Sequence, residues 1–297
     1  MKNILNLIGN TPLVNLTEII KKPNLEVLVK LEGQNPGGSV KDRAAYGMIK
    51  GALDRGELKP GMQIVEATSG NTGIALAMIA SLFKIPITLV MPEHATIERV
   101  QTMKAYGAKV VLTPSEKTIE YSRQYAEELN QQDGYLMLNQ FGNDDNWGMH
   151  YKTTGPEIWK DTKGKITHFI SAMGTTGTIM GTSRYLKEQN ETIQIVGVQP
   201  TDGSRVPGIR RWSPEFLPRI YDAKRVDEMI DVSADEAENT MRRLAAEEGI
   251  FCGVSGGGAV AAMIKLADTL NEGVVVCILP DRGDRYLSSG VFRPVFK

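Results

Sequence analysis

Four segments of this 297-residue chain carry residue types that could build a nucleophilic, anion-binding site. The first is Asn35-Pro36-Gly37-Gly38-Ser39-Val40-Lys41-Asp42-Arg43. Pro36, Gly37 and Gly38 interrupt the chain, and Ser39 is a natural N-cap. Apolar residues at Val40, Ala44, Ala45, Met48, Ile49 and Ala52 predict a helix over 40–52. Lys41 then lies in the first turn, where exposed N–H groups and the helix dipole disfavour a cation. Such a lysine is either a solvated bystander or an amine whose neutral form serves as a nucleophile. Position alone leaves both open.

The second segment is Thr68-Ser69-Gly70-Asn71-Thr72-Gly73, between a predicted strand and a predicted helix. Small hydroxyl and amide side chains crowd a helix N-terminus there, as binding of a carboxylate requires. Ordinary capping accounts for one Ser or Thr, not for this cluster. The third is Met173-Gly174-Thr175-Thr176-Gly177-Thr178-Ile179-Met180-Gly181, a strand-to-helix turn rich in neutral donors and suited to a phosphate. Its glycine spacing is not the dinucleotide G-x-G-x-x-G, and no Gly-Lys-Ser/Thr follows to make a Walker loop. A plain strand-to-helix turn is the bland alternative. The fourth, Gly253-Val254-Ser255-Gly256-Gly257-Gly258-Ala259, leaves Ser255 as the one side chain there able to donate or accept; a flexible turn explains it equally well.

These segments must be positioned by regular elements. β-branched runs predict strands at 62–67, 87–91, 109–113, 135–138, 166–172, 194–198 and 274–279. Helical patterns fall at 71–82, 96–106, 118–131, 178–189, 235–248 and 258–270. The alternation predicts an α/β chain with parallel sheets covered by helices on both faces. The stretch 201–226, which includes Arg210-Arg211-Trp212, reads as a long functional loop, and the polar break 142–146 as a crossover. A net charge of −1 gives no global attraction to nucleic acid or an anionic membrane, and no apolar run reaches spanning length. Cys252 and Cys277 sit in apolar runs and point to buried thiols rather than a disulfide. His94, His150 and His168 show no ligand spacing, so no metal site is predicted. The first residues lack a long apolar signal region, which agrees with a cytoplasmic protein.

Taken together, Ile8–Leu13, Gly33–Arg43, Glu66–Gly73, Gly174–Gly181, Gly249–Val260 and Asp281–Ser288 resemble the cysteine synthase/cystathionine β-synthase family of pyridoxal-phosphate enzymes. Pro207–Trp212 and Asp281–Asp284 resemble its B-type branch. The resemblance spans essentially the whole chain. It implies a fold type II enzyme of two domains, each with a mostly parallel sheet flanked by helices. The smaller, substrate-gripping domain would cover about 35–145, and the larger, cofactor-binding domain 1–34 plus 146–297. It also implies a transferase that makes L-cysteine or S-sulfocysteine from O-acetyl-L-serine and sulfide or thiosulfate, by β-replacement through an α-aminoacrylate. Lys41 would bond the pyridoxal 5'-phosphate and move the substrate α-proton. Gly174, Thr175, Thr176, Gly177 and Thr178 would hold the cofactor phosphate, Asn71 its 3′-oxygen, and Ser255 would face the pyridine nitrogen. Thr68, Ser69, Thr72 and Gln140 would grip the α-carboxylate. Arg210 and Arg211 near the mouth would favour an anionic second substrate; structural ion pairs on a solvated loop are the alternative for both. A homodimer acting on small molecules, with no nucleic acid or membrane partner, is what the family implies.

Two features depart from the family pattern. Gly256 stands where a second serine usually follows the pyridine-facing one, and the C-terminal stretch Phe292–Lys297 is short for a B-type tail. Competing readings are a cystathionine β-synthase-like or Ser/Thr dehydratase-like lyase, a nicotinamide-dependent dehydrogenase, and a non-catalytic cofactor-binding scaffold. The glycine spacing after 172 counts against the dehydrogenase.

Overall fold

A computed structural model describes residues 3–93 and 95–292. His94 and the tail beyond Phe292, both noted above, lie outside the described residues. The chain divides into two compact units, one formed by Met1–Val40 with Trp147–Lys297 and the other by Lys41–Asn146.

The first half of the chain contributes β1 (Leu13–Asn15), β2 (Leu25–Leu31), α1 (Lys41–Asp54), β3 (Gln63–Ala67), α2 (Asn71–Leu82) and β4 (Ile87–Pro92). α3 (Ile97–Ala105), β5 (Lys109–Thr113), α4 (Thr118–Asn130), β6 (Tyr135–Met137) and α5 (Asp144–Met149) follow. The second half contributes α6 (Gly155–Asp161), β7 (His168–Ala172), α7 (Gly177–Gln189), β8 (Gln194–Pro200) and β9 (Glu228–Val232). The chain continues through α8 (Ala234–Glu248), α9 (Val254–Thr269) and β10 (Gly273–Leu279). A π-helical turn, His150–Thr154, joins α5 to α6.

In the larger unit the sheet order is β1-β2-β10-β7-β8-β9, parallel except for the β1–β2 pair. β10 shows why the sheet is covered on both faces. Val275, Cys277 and Leu279 join a core with α8 and α9 residues such as Leu244 and Val260, whereas Val276 and Ile278 join Ile158, Ile179 and Leu186 of α6 and α7. The side-chain period of two assigns successive residues to opposite helical layers, so the strand must be apolar throughout. α8 is delimited by a Ser233/Glu236 capping box and by Gly249 in the left-handed region at φ 68°.

The smaller unit has a four-stranded, all-parallel sheet of order β5-β4-β3-β6. α2 is buried on every side from Thr72 to Ala80 and packs against α1, while α4 covers β3 and β4 around Val65, Val90 and Ala126.

Most predicted elements are present within one or two residues. Patterning missed β1, β2, β9, α5, α6 and the π turn. Two predicted starts shift. α1 begins at Lys41, and Ser39 instead bridges Asp281. α9 begins at Val254 rather than 258, so the glycine-rich segment read as a turn is the helix's first turn.

β2 also holds a charge in the core. Lys30 is fully buried; its Nζ donates to the Thr11 carbonyl at 2.8 Å and pairs with Glu157 of α6 at 2.9 Å, with Asp161 at 3.9 Å. Removing one partner of a buried ion pair typically costs 3–5 kcal/mol. With Glu157 slightly exposed and Asp161 near, Glu157→Gln is expected to cost about 2–3 kcal/mol. The check is thermal unfolding, with a fall in Tm of roughly 3–6 °C expected for a chain of this size.

Candidate active site

In the larger unit, β7 ends at Ala172 and the chain turns through Met173–Thr176 into α7. Thr176, at the N-cap position, takes a left-handed conformation at φ 70°, uncommon for a threonine. Its hydroxyl is buried and meets no hydrogen-bond partner among the described residues. A buried orphan hydroxyl is costly, and one on the N-cap residue of a helix fits the binding of an oxyanion there. Thr175 Oγ1 accepts weakly from the Gly177 N–H at 3.5 Å. Thr178 Oγ1 lies 3.4 Å from Nε2 of the buried His150, whose Nδ1 lies 2.8 Å from Thr154 Oγ1. Neutral donors and a helix dipole with no cation in the loop fit a phosphate monoester.

The loop after β8 sits directly on this turn. The Arg210 N–H donates to the Met173 carbonyl at 2.8 Å, and the Trp212 indole donates to the Gly174 carbonyl at 2.9 Å. A Cβ on Gly174 would stand 2.9 Å from the Gly208 carbonyl. Gly208 itself has φ +86°, and a Cβ there would stand 3.3 Å from Ser255 Oγ. Gly174, Gly208 and Ser255 therefore converge, with Ser255 buried in the first turn of α9. The backbone of this loop joins the Gly174–Thr178 turn to the serine. Arg211 is turned elsewhere: its Nε donates to the Pro200 carbonyl at 2.8 Å and its guanidinium pairs with Asp231. Arg210 lies over the Trp212 ring, 5.2 Å from the centroid.

The stretch leading to Lys41 is tied down residue by residue. The Gly38 N–H donates to the Asn35 carbonyl at 2.7 Å, Arg285 donates to the Gly37 carbonyl, and the Val40 N–H donates to the Pro280 carbonyl at 2.8 Å. Lys41 is then the first, half-buried residue of α1.

In the smaller unit, Gly70 is the N-cap of α2 and Asn71 its first residue. Thr68 and Thr72 are buried, and Ser69 is half-buried. Thr72 Oγ1 donates to Gln140 Oε1 at 2.7 Å, which joins two residues 68 positions apart. A Cβ on Gly73 would stand 3.1 Å from Thr68 Cγ2. Thr68, Thr72 and Gln140 thus form one cluster at a helix N-terminus, with Ser69 and Asn71 beside it in the chain.

Spacing offered no reason to select His150, which reaches Thr178 only through the π turn. A further residue that went unselected is Glu66, whose carboxylate accepts the Asn139 N–H at 3.0 Å. Its one sequence signal is a charge between the apolar residues Val65 and Ala67 of a strand. Burial pushes the Cys252 thiol up to about 12 and raises Cys277 as well; both are free and buried, so neither is a nucleophile at neutral pH. Among the described residues no group of His, Cys, Asp or Glu could hold a metal, and no helix is long and apolar enough to cross a membrane.

Parallel α/β units with an anion cradle at a helix start and a lysine at the head of another helix define a class of cofactor-dependent enzyme. The family described as pyridoxal-phosphate dependent enzyme matches residues 4–281, and the chain belongs to it. Among its relatives, cysteine synthase B of Pseudomonas aeruginosa is 57% identical over 98% of this chain and 97% of its own. Cysteine synthase B of Escherichia coli is 54% identical, covering 98% and 96%. The crystal structure of cysteine synthase (OASS) from Entamoeba histolytica superposes with a TM-score of 0.95 at 36% identity, covering 100% of this chain and 92% of that one.

The packing around Gly256 leaves little room for a side chain. A Cβ there would stand 3.1 Å from Cys252 Sγ and 3.2 Å from Cys252 Cβ, inside a fully buried turn. Gly256→Ser is therefore expected to destabilise the protein by about 1–2 kcal/mol through overpacking. Denaturant unfolding of the single variant and of Gly256→Ser with Cys252→Ala should show part of that loss recovered in the pair.

Proposed function

We propose that this chain is a cysteine synthase of the B type, which replaces the acetoxy group of O-acetyl-L-serine with sulfide or thiosulfate. The observation that carries the reading is the buried, unpartnered Thr176 hydroxyl in a neutral phosphate cradle. High identity to relatives named cysteine synthase B supports the choice of reaction.

In this reading Gly174, Thr175, Thr176, Gly177 and Thr178 hold the phosphate of pyridoxal 5'-phosphate, Asn71 its 3′-oxygen, and Lys41 bonds to it covalently. Bound there, the cofactor supplies an electron sink for the pair left at the substrate Cα. Lys41 would take the substrate α-proton and later return it. Ser255 offers the ring nitrogen a neutral hydroxyl rather than a carboxylate and adds no proton there, which suits prompt loss of a β leaving group. Thr68, Ser69, Thr72 and Gln140 hold the α-carboxylate and fix which substrate bond faces Lys41. Arg211 is committed to Pro200 and Asp231. Arg210, whose backbone N–H is bonded to the Met173 carbonyl and whose guanidinium lies over Trp212, is the arginine we assign first to an anionic second substrate larger than sulfide, with Arg211 beside it in the chain. We further propose a homodimer working in the cytoplasm.

The test is product formation by the purified enzyme from O-acetyl-L-serine with sulfide or, separately, thiosulfate. Cysteine and S-sulfocysteine are the expected products, with ping-pong kinetics. Lys41→Ala should lower kcat by about 10³-fold or more. Arg210→Ala should raise KM for thiosulfate by roughly 10-fold, the worth of one charge-assisted contact, and leave KM for sulfide unchanged. No turnover of O-acetyl-L-serine with either donor would overturn the reading.

A further inference from the structure

Glu66 lies on β3, two residues before Thr68, with 4% of its surface exposed. Its carboxylate faces the turn after β6. Oε2 accepts the Asn139 N–H at 3.0 Å, and the N–H groups of Leu138 and Gln140 also act on it. Asn139 takes a left-handed conformation at φ 53°, which asparagine accepts more readily than most side chains and which sets the direction of the turn. The same turn is tied at its far side, where Asn143 donates to the Leu138 carbonyl at 2.8 Å and Asn146 to the Gln140 carbonyl at 2.7 Å. Its product is the placement of Gln140, whose side chain accepts from Thr72 at 2.7 Å.

We propose that Glu66 is a positioning residue for the α-carboxylate grip: its ionised carboxylate fixes the 138–140 backbone and thereby Gln140, and its protonation loosens that hold. The inference rests on the reading of Thr68, Ser69, Thr72 and Gln140 as the carboxylate ligands.

The groups around Glu66 set the window. Its strand neighbour on β4 is Leu89, and β6 pairs through Met137 with adjacent Val65, all uncharged. α4, which covers the strand, supplies the positive charge of Arg123, whose guanidinium lies 5.0 Å from the Phe141 ring. Burial pushes Glu66 up to about 7, against the pull of the three N–H groups and Arg123. A carboxylate accepts N–H bonds more strongly than a neutral carboxyl. The grip is therefore tight above about pH 7 and slack below it, and KM for the amino-acid substrate rises as pH falls through that point.

The experiment measures KM for O-acetyl-L-serine in the holoenzyme between about pH 6 and 8.5, for the wild type and Glu66→Gln. The wild type is expected to lose affinity by about 5- to 10-fold across the window. Glu66→Gln should show a raised KM at the upper end, no inflection near 7, and a kcat changed much less than KM. Backbone hydrogen exchange of residues 138–140, without substrate, should be faster in Glu66→Gln than in the wild type at about pH 8. If the variant does not fold, the wild type still decides the matter. The inflection near 7 should appear for the amino acid and be missing for its carboxamide analogue, which has no carboxylate to grip. The same pH profile in wild type and variant, or in substrate and carboxamide, would overturn the role of Glu66. No turnover of O-acetyl-L-serine at any pH would instead overturn the proposed function.

Discussion

The first N–H groups of α2 in the smaller unit, and of α7 and α9 in the larger, have no acceptor within their own helices, and each start depends on small residues that leave its backbone approachable. A helix start attracts an anion only where backbone can approach it, which excludes bulk. Gly174 and Gly208 meet that constraint directly, since a methyl group on either would press on the neighbouring carbonyl or on Ser255. Parallel sheets supply the starts: after β3 and after β7 the chain turns at the carboxyl end of a strand and enters a helix. The sheets are there because β-branched and apolar runs can be buried on both faces only between helical layers.

Neutral donors have a second consequence. In the proposed reading, a cation in the 174–178 turn would bind a phosphate more strongly, and a carboxylate in place of Ser255 would keep the ring nitrogen protonated. Neither residue type occurs in Gly174–Thr178 or Gly253–Ala259, so the fixed polarity comes from backbone and hydroxyls. The charged groups stand one step back and act on the backbone. Glu66 holds the Asn139 turn, Arg285 holds Gly37, and Arg211 holds the Pro200 carbonyl.

Short-range chemistry was legible in the sequence. Thr68–Gly73 and Gly174–Thr178 declared themselves by composition at predicted strand ends, and both lie at helix starts in the structure. The α9 start was misread because four glycines in seven residues look like a turn, whereas close approach of neighbouring backbone and side chains is what demands them there. β2 escaped notice because Lys30 interrupts its apolar pattern, and partners distant in sequence, Glu157 above all, explain a lysine in that position. The π turn at 150–154 depends on packing against α7, where Gly181 admits the Trp147 carbonyl, a contact no local pattern encodes. Of the two adjacent arginines, sequence could not tell which one an aspartate 20 residues away had already engaged.

The most direct test of the whole account is the visible absorption spectrum of the purified protein, before and after O-acetyl-L-serine is added. The account predicts a cofactor band that shifts on addition of the amino acid and returns when sulfide follows, with the band of the untreated protein lost or displaced in Lys41→Ala. A colourless protein that pyridoxal 5'-phosphate cannot reconstitute, or a band indifferent to Lys41 and to O-acetyl-L-serine, would contradict it.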